Sequence, residues 1–285
     1  MTTYGVLSYI EAKRNKSLPV KKKDIIIDLL KDEPMPFRDP KVMHRVITDA
    51  ECEGKEVLII GDVHGCLEEL KDLLVKCDLL EDGVVRDGAI VILCGDIVMK
   101  GPLNVETLRY MKHAGILAVR GNQDDKCILR YTDKVNGIPF MTKNLWMEGL
   151  TADDIEVLLD LPYSISIPSV KTVIVHAGVF PGVPLEEQNR FVLTYMRSIH
   201  SKNGTLAPSP ATVKEDEDQP WAKLWRGPYH VYFGHDARHG LQQWDFATGL
   251  DTGCVYGKKM TGKFVAGRRQ GEFISVDARN TYWKV

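Results

Sequence analysis

Val57-Leu58-Ile59-Ile60-Gly61-Asp62-Val63-His64-Gly65 is the stretch that decides the fold. Four apolar residues, most of them β-branched, read as a buried strand, and two metal-ligating side chains follow at once. Asp62 and His64 stand two apart, so at a strand exit both reach one ion. Gly61 and Gly65 permit unusual turn dihedrals and close backbone approach. The pattern recurs: Ile90–Cys94 runs into Gly95-Asp96, and Ile116–Val119 runs through Arg120 into Gly121-Asn122. His176 and His235 also follow short apolar runs.

Between these strands the periodicity changes. Leu67, Leu70, Leu73, Leu74 and Cys77 fall at three- and four-residue spacing, which predicts a helix with one apolar face. A second strand over Ala89–Cys94, a helix over Asn104–Lys112 and a third strand over Ile116–Val119 complete a βαβαβ order. That order predicts an α/β fold with parallel strands and helices outside. A further helix is expected over Asp153–Asp160, closed by Pro162. Strands are expected at Tyr163–Ile167 and Thr172–Val175, flanking the Pro168-Ser169 turn, and at His230–Phe233. Residues 200–220 read as a polar surface loop with the makings of a lid, and residues 260–285 as hairpins. Residues 1–52 read as an N-terminal extension, broken by Pro34, Pro36 and Pro40, with a short helix at Asp24–Leu30; the main domain takes 53–285.

The bulk properties are those of a soluble globular chain: 285 residues, 44% hydrophobic, net charge -2. No global field draws it to a membrane, and double-stranded DNA is not an expected partner, although a locally basic cleft is compatible with this balance. No segment approaches the ~20 apolar residues of a membrane span, and the N-terminus shows no signal-peptide pattern. Lys21-Lys22-Lys23 reads as a solvated patch, with a nuclear address or a nucleic-acid contact as the alternative. Cys52, Cys66, Cys77, Cys94, Cys127 and Cys254 are scattered without a Cys-x-x-Cys pair, which favours reduced thiols and a cytoplasmic setting.

The ligand turns supply two carboxylates, three imidazoles and one amide oxygen, with no thiolate. That set suits Mn, Fe or Zn more than Ca or Mg. Two such ions, roughly 3.5–4 Å apart, are a known solution for in-line attack on phosphorus.

Read in order, Gly-Asp-Val-His-Gly (61–65), Gly-Asp-Ile-Val-Met-Lys-Gly-Pro (95–102), Gly-Asn-Gln-Asp (121–124), His-Ala-Gly (176–178) and Gly-His (234–235) resemble the calcineurin-type metallophosphoesterases, within them the phosphoprotein-phosphatase branch. Lys-Gly-Pro at 100–102 and Leu-Asp-Thr-Gly-Cys-Val-Tyr-Gly at 250–257 are similar to the ApaH-like phosphatases, relatives of symmetrical diadenosine tetraphosphatase. The resemblance covers roughly residues 55–270. It implies a central β-sandwich of two mixed sheets flanked by helices. It implies two divalent ions, manganese foremost: Asp62, His64 and Asp96 on the first, and Asp96, Asn122, His176 and His235 on the second. Lys100 stands where many relatives carry Arg and would bind substrate phosphate as a point charge rather than a fork. Arg226 is a second phosphate-binding candidate, with a plain surface role as its alternative. Asp251 is expected to orient a ligand or substrate, or to cap its own turn.

The chain departs from the family at Gln123. Relatives carry His there, which donates a proton to the leaving oxygen, with the neighbouring acid, here Asp124, as orienter. A carboxamide cannot transfer a proton near neutral pH, and loss of a general acid costs typically ~10²–10⁴ in rate. A serine alkoxide needs that proton; a terminal phosphate or nucleotide leaves as a weakly basic anion with a second pKa of about 6. The expected reaction is therefore hydrolysis of a phosphoanhydride by metal-bridged hydroxide, with Asp96 essential. Asp124 and His239 are the candidates for a substitute acid, and a structural role is the readier reading of His239. Diadenosine tetraphosphate, inorganic polyphosphate and a capped RNA end are the expected substrates. A serine/threonine protein phosphatase and a silent nucleotide- or partner-binding module are the competing readings. His44, His113, His200 and His230 read as structural.

Overall fold

The computed structural model describes residues 36–202, 205–210 and 218–284. The short helix expected at 24–30 and the lysine run at 21–23 lie outside the described residues.

Two mixed sheets face each other. The first has five strands in the order β16-β15-β2-β5-β6, formed by β2 (Glu56–Ile60), β5 (Ala89–Leu93), β6 (Leu117–Ala118), β15 (Lys259–Ala266) and β16 (Phe273–Asp277). Strands β2, β5 and β6 are parallel, with Leu58 opposite Val91 and Leu93 opposite Ala118; β15 runs antiparallel beside β2. The second has six strands in the order β1-β7-β8-β12-β14-β13: β1 (His44–Val46), β7 (Ser164–Ile167), β8 (Thr172–Val175), β12 (His230–Phe233), β13 (Gln242–Gln243) and β14 (Ala247–Gly249). Here β8, β12 and β14 are parallel; β3 (Leu80–Glu81) and β4 (Val84–Val85) form a separate two-stranded hairpin. The resemblance to a sandwich of two mixed sheets flanked by helices is borne out.

Burial on both faces explains the unbroken apolar runs. Val57 and Ile59 of β2 point between the sheets, where they meet Ile92, Cys94, Ile165, Ile174, Tyr232 and Val265. Leu58 and Ile60 point the other way, into a core shared with the helices. Those helices are α2 (Leu67–Lys76), α3 (Asn104–His113), α4 (Asn122–Val135) and α5 (Ala152–Leu159); α1 (Asp49–Cys52) precedes them. The predicted helices at 67–77, 104–112 and 153–160 agree with α2, α3 and α5 to within a residue or two. The outer face of the second sheet is covered by α6 (Arg190–Tyr195) and by Trp221 of α7 (Trp221–Leu224), through Val192, Leu193 and Phe233.

Two regions differ from the sequence reading. α4 has the longest span of the described helices yet carries only Cys127 and Ile128 as buried apolar residues, too thin a stripe for periodicity to reveal. Residues 200–220, expected as a polar loop, contribute to a small antiparallel sheet with β9 (Ser198–Lys202) between β10 (Thr205–Ser209) and β11 (Asp218–Pro220). Pro208 sits on the edge strand β10, where a missing N–H is tolerated, and His200 pairs with Asp218 at 2.7 Å across β9 and β11. Within the stretch expected as an extension, β1 pairs with β7, and Ile47 and Cys52 enter the core between the sheets.

Candidate metal centre

The carboxyl ends of the parallel strands in both sheets converge on one edge, the place where open α/β sheets gather ligands. β2 delivers Asp62 and His64, β5 delivers Asp96, and β6 leads to Asn122 at the start of α4. From the second sheet β8 delivers His176, β12 delivers His235 and β14 leads to Asp251. All seven are buried.

The turns are strained where the ligands sit. His64, Asp96 and His235 have φ of 49°, 48° and 68°, a region that L side chains rarely adopt and that clusters at functional sites. Two glycines make room. A Cβ on Gly121 would run into the Asp96 carboxylate, and one on Gly234 into that of Asp62.

One ligand oxygen or nitrogen from each of Asp62, Asp96 and His176 lies within 4.8 Å of the others. The Asp96 carboxylate is central: Oδ2 is 3.4 Å from His64 Nε2, and Oδ1 is 3.3 Å from His176 Nε2. His176 Nε2 is also 3.2 Å from Asn122 Oδ1 and 3.2 Å from His235 Nδ1. His176 Nδ1 lies 2.8 Å from Cys94 O and His64 Nδ1 3.4 Å from Val98 O. Donation to those carbonyls fixes the tautomer that leaves each Nε2 lone pair for the site. The backbone N–H of His235 donates to Asp62, and that of Gln123 donates to Asp96 Oδ1 at 2.8 Å.

Burial drives the electrostatics. It pushes the Asp62 carboxyl well above the ordinary range, and the charges of Asp251 and Asp96 push it the same way. It depresses His64 to about 3 and moves His176 and His235 downward as well. Burial opposes ionisation of Asp96 too, but interaction with His176, His64 and Lys100 outweighs it, and its pKa lies below the usual value. His235 Nε2 is buried without a hydrogen-bond partner. An orphaned imidazole nitrogen among oxygen and nitrogen donors fits a divalent cation, and the absence of a thiolate from the expected set fits Mn, Fe or Zn.

Around this cluster, Lys100 Nζ is 3.1 Å from His64 Nε2 and donates to the Tyr256 hydroxyl at 3.0 Å. Asp251 Oδ1 accepts from Gly253 N at 3.1 Å, so it caps its turn while its charge also acts on Asp62; burial lifts its pKa to about 6. Asp124 is held by the backbone: Oδ1 accepts from Ile97 N and Val98 N, and Oδ2 from Gly121 N. That pattern ties α4 to the β5 turn and leaves Oδ2 with one open acceptor site. Arg226 is not brought to the cluster; its exposed guanidinium donates to Lys223 O at 2.6 Å. His239 pairs with Asp236 at 2.7 Å on the loop after His235.

Sequence reasoning missed Arg197. Its guanidinium donates to His235 O at 3.1 Å and lies 3.6 Å from Asp236, and its charge reaches His176 and His235. It follows α6, and no motif marks it. Tyr256, by contrast, stood inside the quoted 250–257 string.

Comparison with known proteins agrees with this geometry. Residues 55–258 match the family model of the calcineurin-like phosphoesterases. The chain belongs to the calcineurin-like phosphoesterases. Membership in this phosphoesterase family implies divalent metal ions at the cluster. The chain is 25% identical over 246 residues to the asymmetrical bis(5'-nucleosyl)-tetraphosphatase of Oceanobacillus iheyensis, covering 79% of this chain and 93% of that one. It is 26% identical over 259 residues to the symmetrical bis(5'-nucleosyl)-tetraphosphatase of Hamiltonella defensa, covering 71% and 91%. A crystal structure of a protein provisionally described as a diadenosine tetraphosphatase superposes with a TM-score of 0.71 at 33% identity, covering 84% of this phosphoesterase and 99% of that chain. No helix among the described residues is long and apolar enough to cross a membrane.

Proposed function

We propose that this phosphoesterase hydrolyses phosphoanhydrides of nucleoside polyphosphates, dinucleoside tetraphosphates foremost, with inorganic polyphosphate and a capped RNA end as further substrates of the same chemistry. The observation that carries this reading is a full oxygen and nitrogen ligand cluster beside Gln123, where no imidazole can protonate a leaving group. The tetraphosphatase names of its relatives support it.

Asp62, His64 and Asp96 would hold one ion, and Asp96, Asn122, His176 and His235 the other, manganese being the metal we assign. When bound, the metals supply the activated water that attacks phosphorus and neutralise developing charge. The protein does the rest. Lys100, set by Tyr256, meets a phosphate oxygen as a point charge. The N-terminal end of α4, whose Gln123 N–H donates to Asp96 Oδ1, would set its positive dipole end beside the anionic substrate. Gln123 offers a hydrogen bond and no proton, which suffices when the departing group is itself a phosphate. The six cysteines are free and buried, which supports a cytoplasmic setting.

The test is incubation of manganese-loaded protein with diadenosine tetraphosphate and separation of the nucleotides. Two ADP indicate symmetrical cleavage, and AMP with ATP asymmetrical cleavage. Chelation should stop the reaction. Asp96→Asn should lower turnover well beyond the ~10–100-fold of an outer-shell change; full activity in that variant would remove the two-metal reading.

A further inference from the structure

The helix that begins at Asn122 carries a cation that the chemistry above does not use. Lys126 lies four residues beyond Asn122, so its side chain stacks one turn, about 5.4 Å, along the same face. It is half-buried, and among the described residues it has neither a hydrogen-bond nor an ion-pair partner. Its ammonium lies 6.0 Å from the centre of the Tyr195 ring, and that ring meets metal ligand His235 edge-on at 6.5 Å. One aromatic ring thus separates Lys126 from the metal cluster.

The surroundings make this position costly without an anion. Burial depresses the Lys126 pKa, Asp96 alone among the named influences opposes that, and Lys100, Arg197 and Arg130 add repulsion. Arg130, one further turn along α4, is engaged by Asp133 at 3.2 Å. Lys126 is the uncommitted one. A half-buried unpaired ammonium, packed on an aromatic face beside a metal cluster, gains a partner when a second negative group extends past the scissile one.

We propose that Lys126 forms a distal phosphate subsite, which binds the part of a polyphosphate chain beyond the phosphorus under attack and so favours chains over single phosphates. This rests on the anhydride reading of the site and specifies which end of the substrate the protein grips. Lys100 addresses the reacting phosphate, and Lys126 addresses its neighbour along the chain.

Calorimetry on the full-length, manganese-loaded protein tests it, because binding is read whether or not turnover occurs. The probes are a diadenosine tetraphosphate with methylene-bridged phosphates and orthophosphate, both in constant excess manganese. Lys126→Met keeps the stem packed on Tyr195 and removes the charge; it should weaken the bridged probe about tenfold and leave orthophosphate unchanged, and Lys126→Arg should restore the bridged probe. Equal weakening of both probes, or of neither, would overturn the subsite. Failure of wild-type protein to cleave unmodified diadenosine tetraphosphate would instead overturn the reading on which it rests.

Discussion

Gln123 concentrates the question of substrate into one side chain. Its backbone N–H is tied to Asp96, while its half-buried carboxamide has no hydrogen-bond partner among the described residues. It is therefore positioned with the clustered carboxylates and imidazoles but contributes no acid. Gln123→His should raise turnover of a phosphoserine peptide by about 10²-fold, the low end of general-acid effects, because Asp124 already accepts three backbone N–H groups and is only partly available to the new ring. Turnover of diadenosine tetraphosphate should change less than about tenfold, its leaving group needing little help. Steady-state kinetics on both substrates read the contrast, and an equal gain on both would mean that leaving-group protonation does not set the preference. Asp62, His64, Asp96, Asn122, His176 and His235 were legible because each ends an apolar run. Arg197 and Lys126 were not: Arg197 follows the short helix α6 with no motif around it, and Lys126 lies on α4, whose sparse buried apolar residues give periodicity little to show.

At the scale of elements, the site depends on turns where backbone and ligand nearly touch. The β6-to-α4 turn places Gly121 against Asp96, and the turn after β12 places Gly234 against Asp62. Gly121→Ala should displace the Asp96 carboxylate while the surrounding strands, anchored by Ile92 and Cys94 between the sheets, stay folded. Manganese affinity should fall by about tenfold or more, as when a metal's supporting contacts are lost. Titration calorimetry reads the affinity and far-ultraviolet circular dichroism the fold. Unchanged affinity would show that the close approach is not required. Strands β2 and β5 could be read from sequence because both their faces are buried. The β9–β11 sheet was not read, because its strands are polar and β10 and β11 carry proline, although Asn203-Gly204 between β9 and β10 is a hairpin signal in the sequence.

For the whole molecule, the two sheets are held together at the site end by the His235-to-Asp62 contact and along their length by the shared core. Stability should depend on pH through groups buried in their neutral form. His230, which bonds Thr248 at 2.8 Å across β12 and β14, is depressed to about 4, first by burial and then by the Lys263 charge. A depressed folded pKa means that the unfolded chain takes the proton first. Its contribution is therefore present above the unfolded value of about 6.5 and is lost as pH falls through about 4. Melting temperatures at pH 7.5 and 4.5 should diverge less in His230→Gln than in the parent protein; an equal divergence would place the acid sensitivity elsewhere. The residues disclosed the parallel group of the first sheet and strands β7, β8 and β12 of the second, while the facing of the two sheets came only with the family resemblance, since the packing of one sheet on another leaves no local mark.

The most direct measurement of the central claim is the ratio of kcat/KM for diadenosine tetraphosphate to that for a phosphoserine peptide, on manganese-loaded wild-type protein. A preference for the anhydride of about 10²-fold or more is the predicted result, from the absent general acid. A ratio near one, or a preference for the peptide, would contradict it.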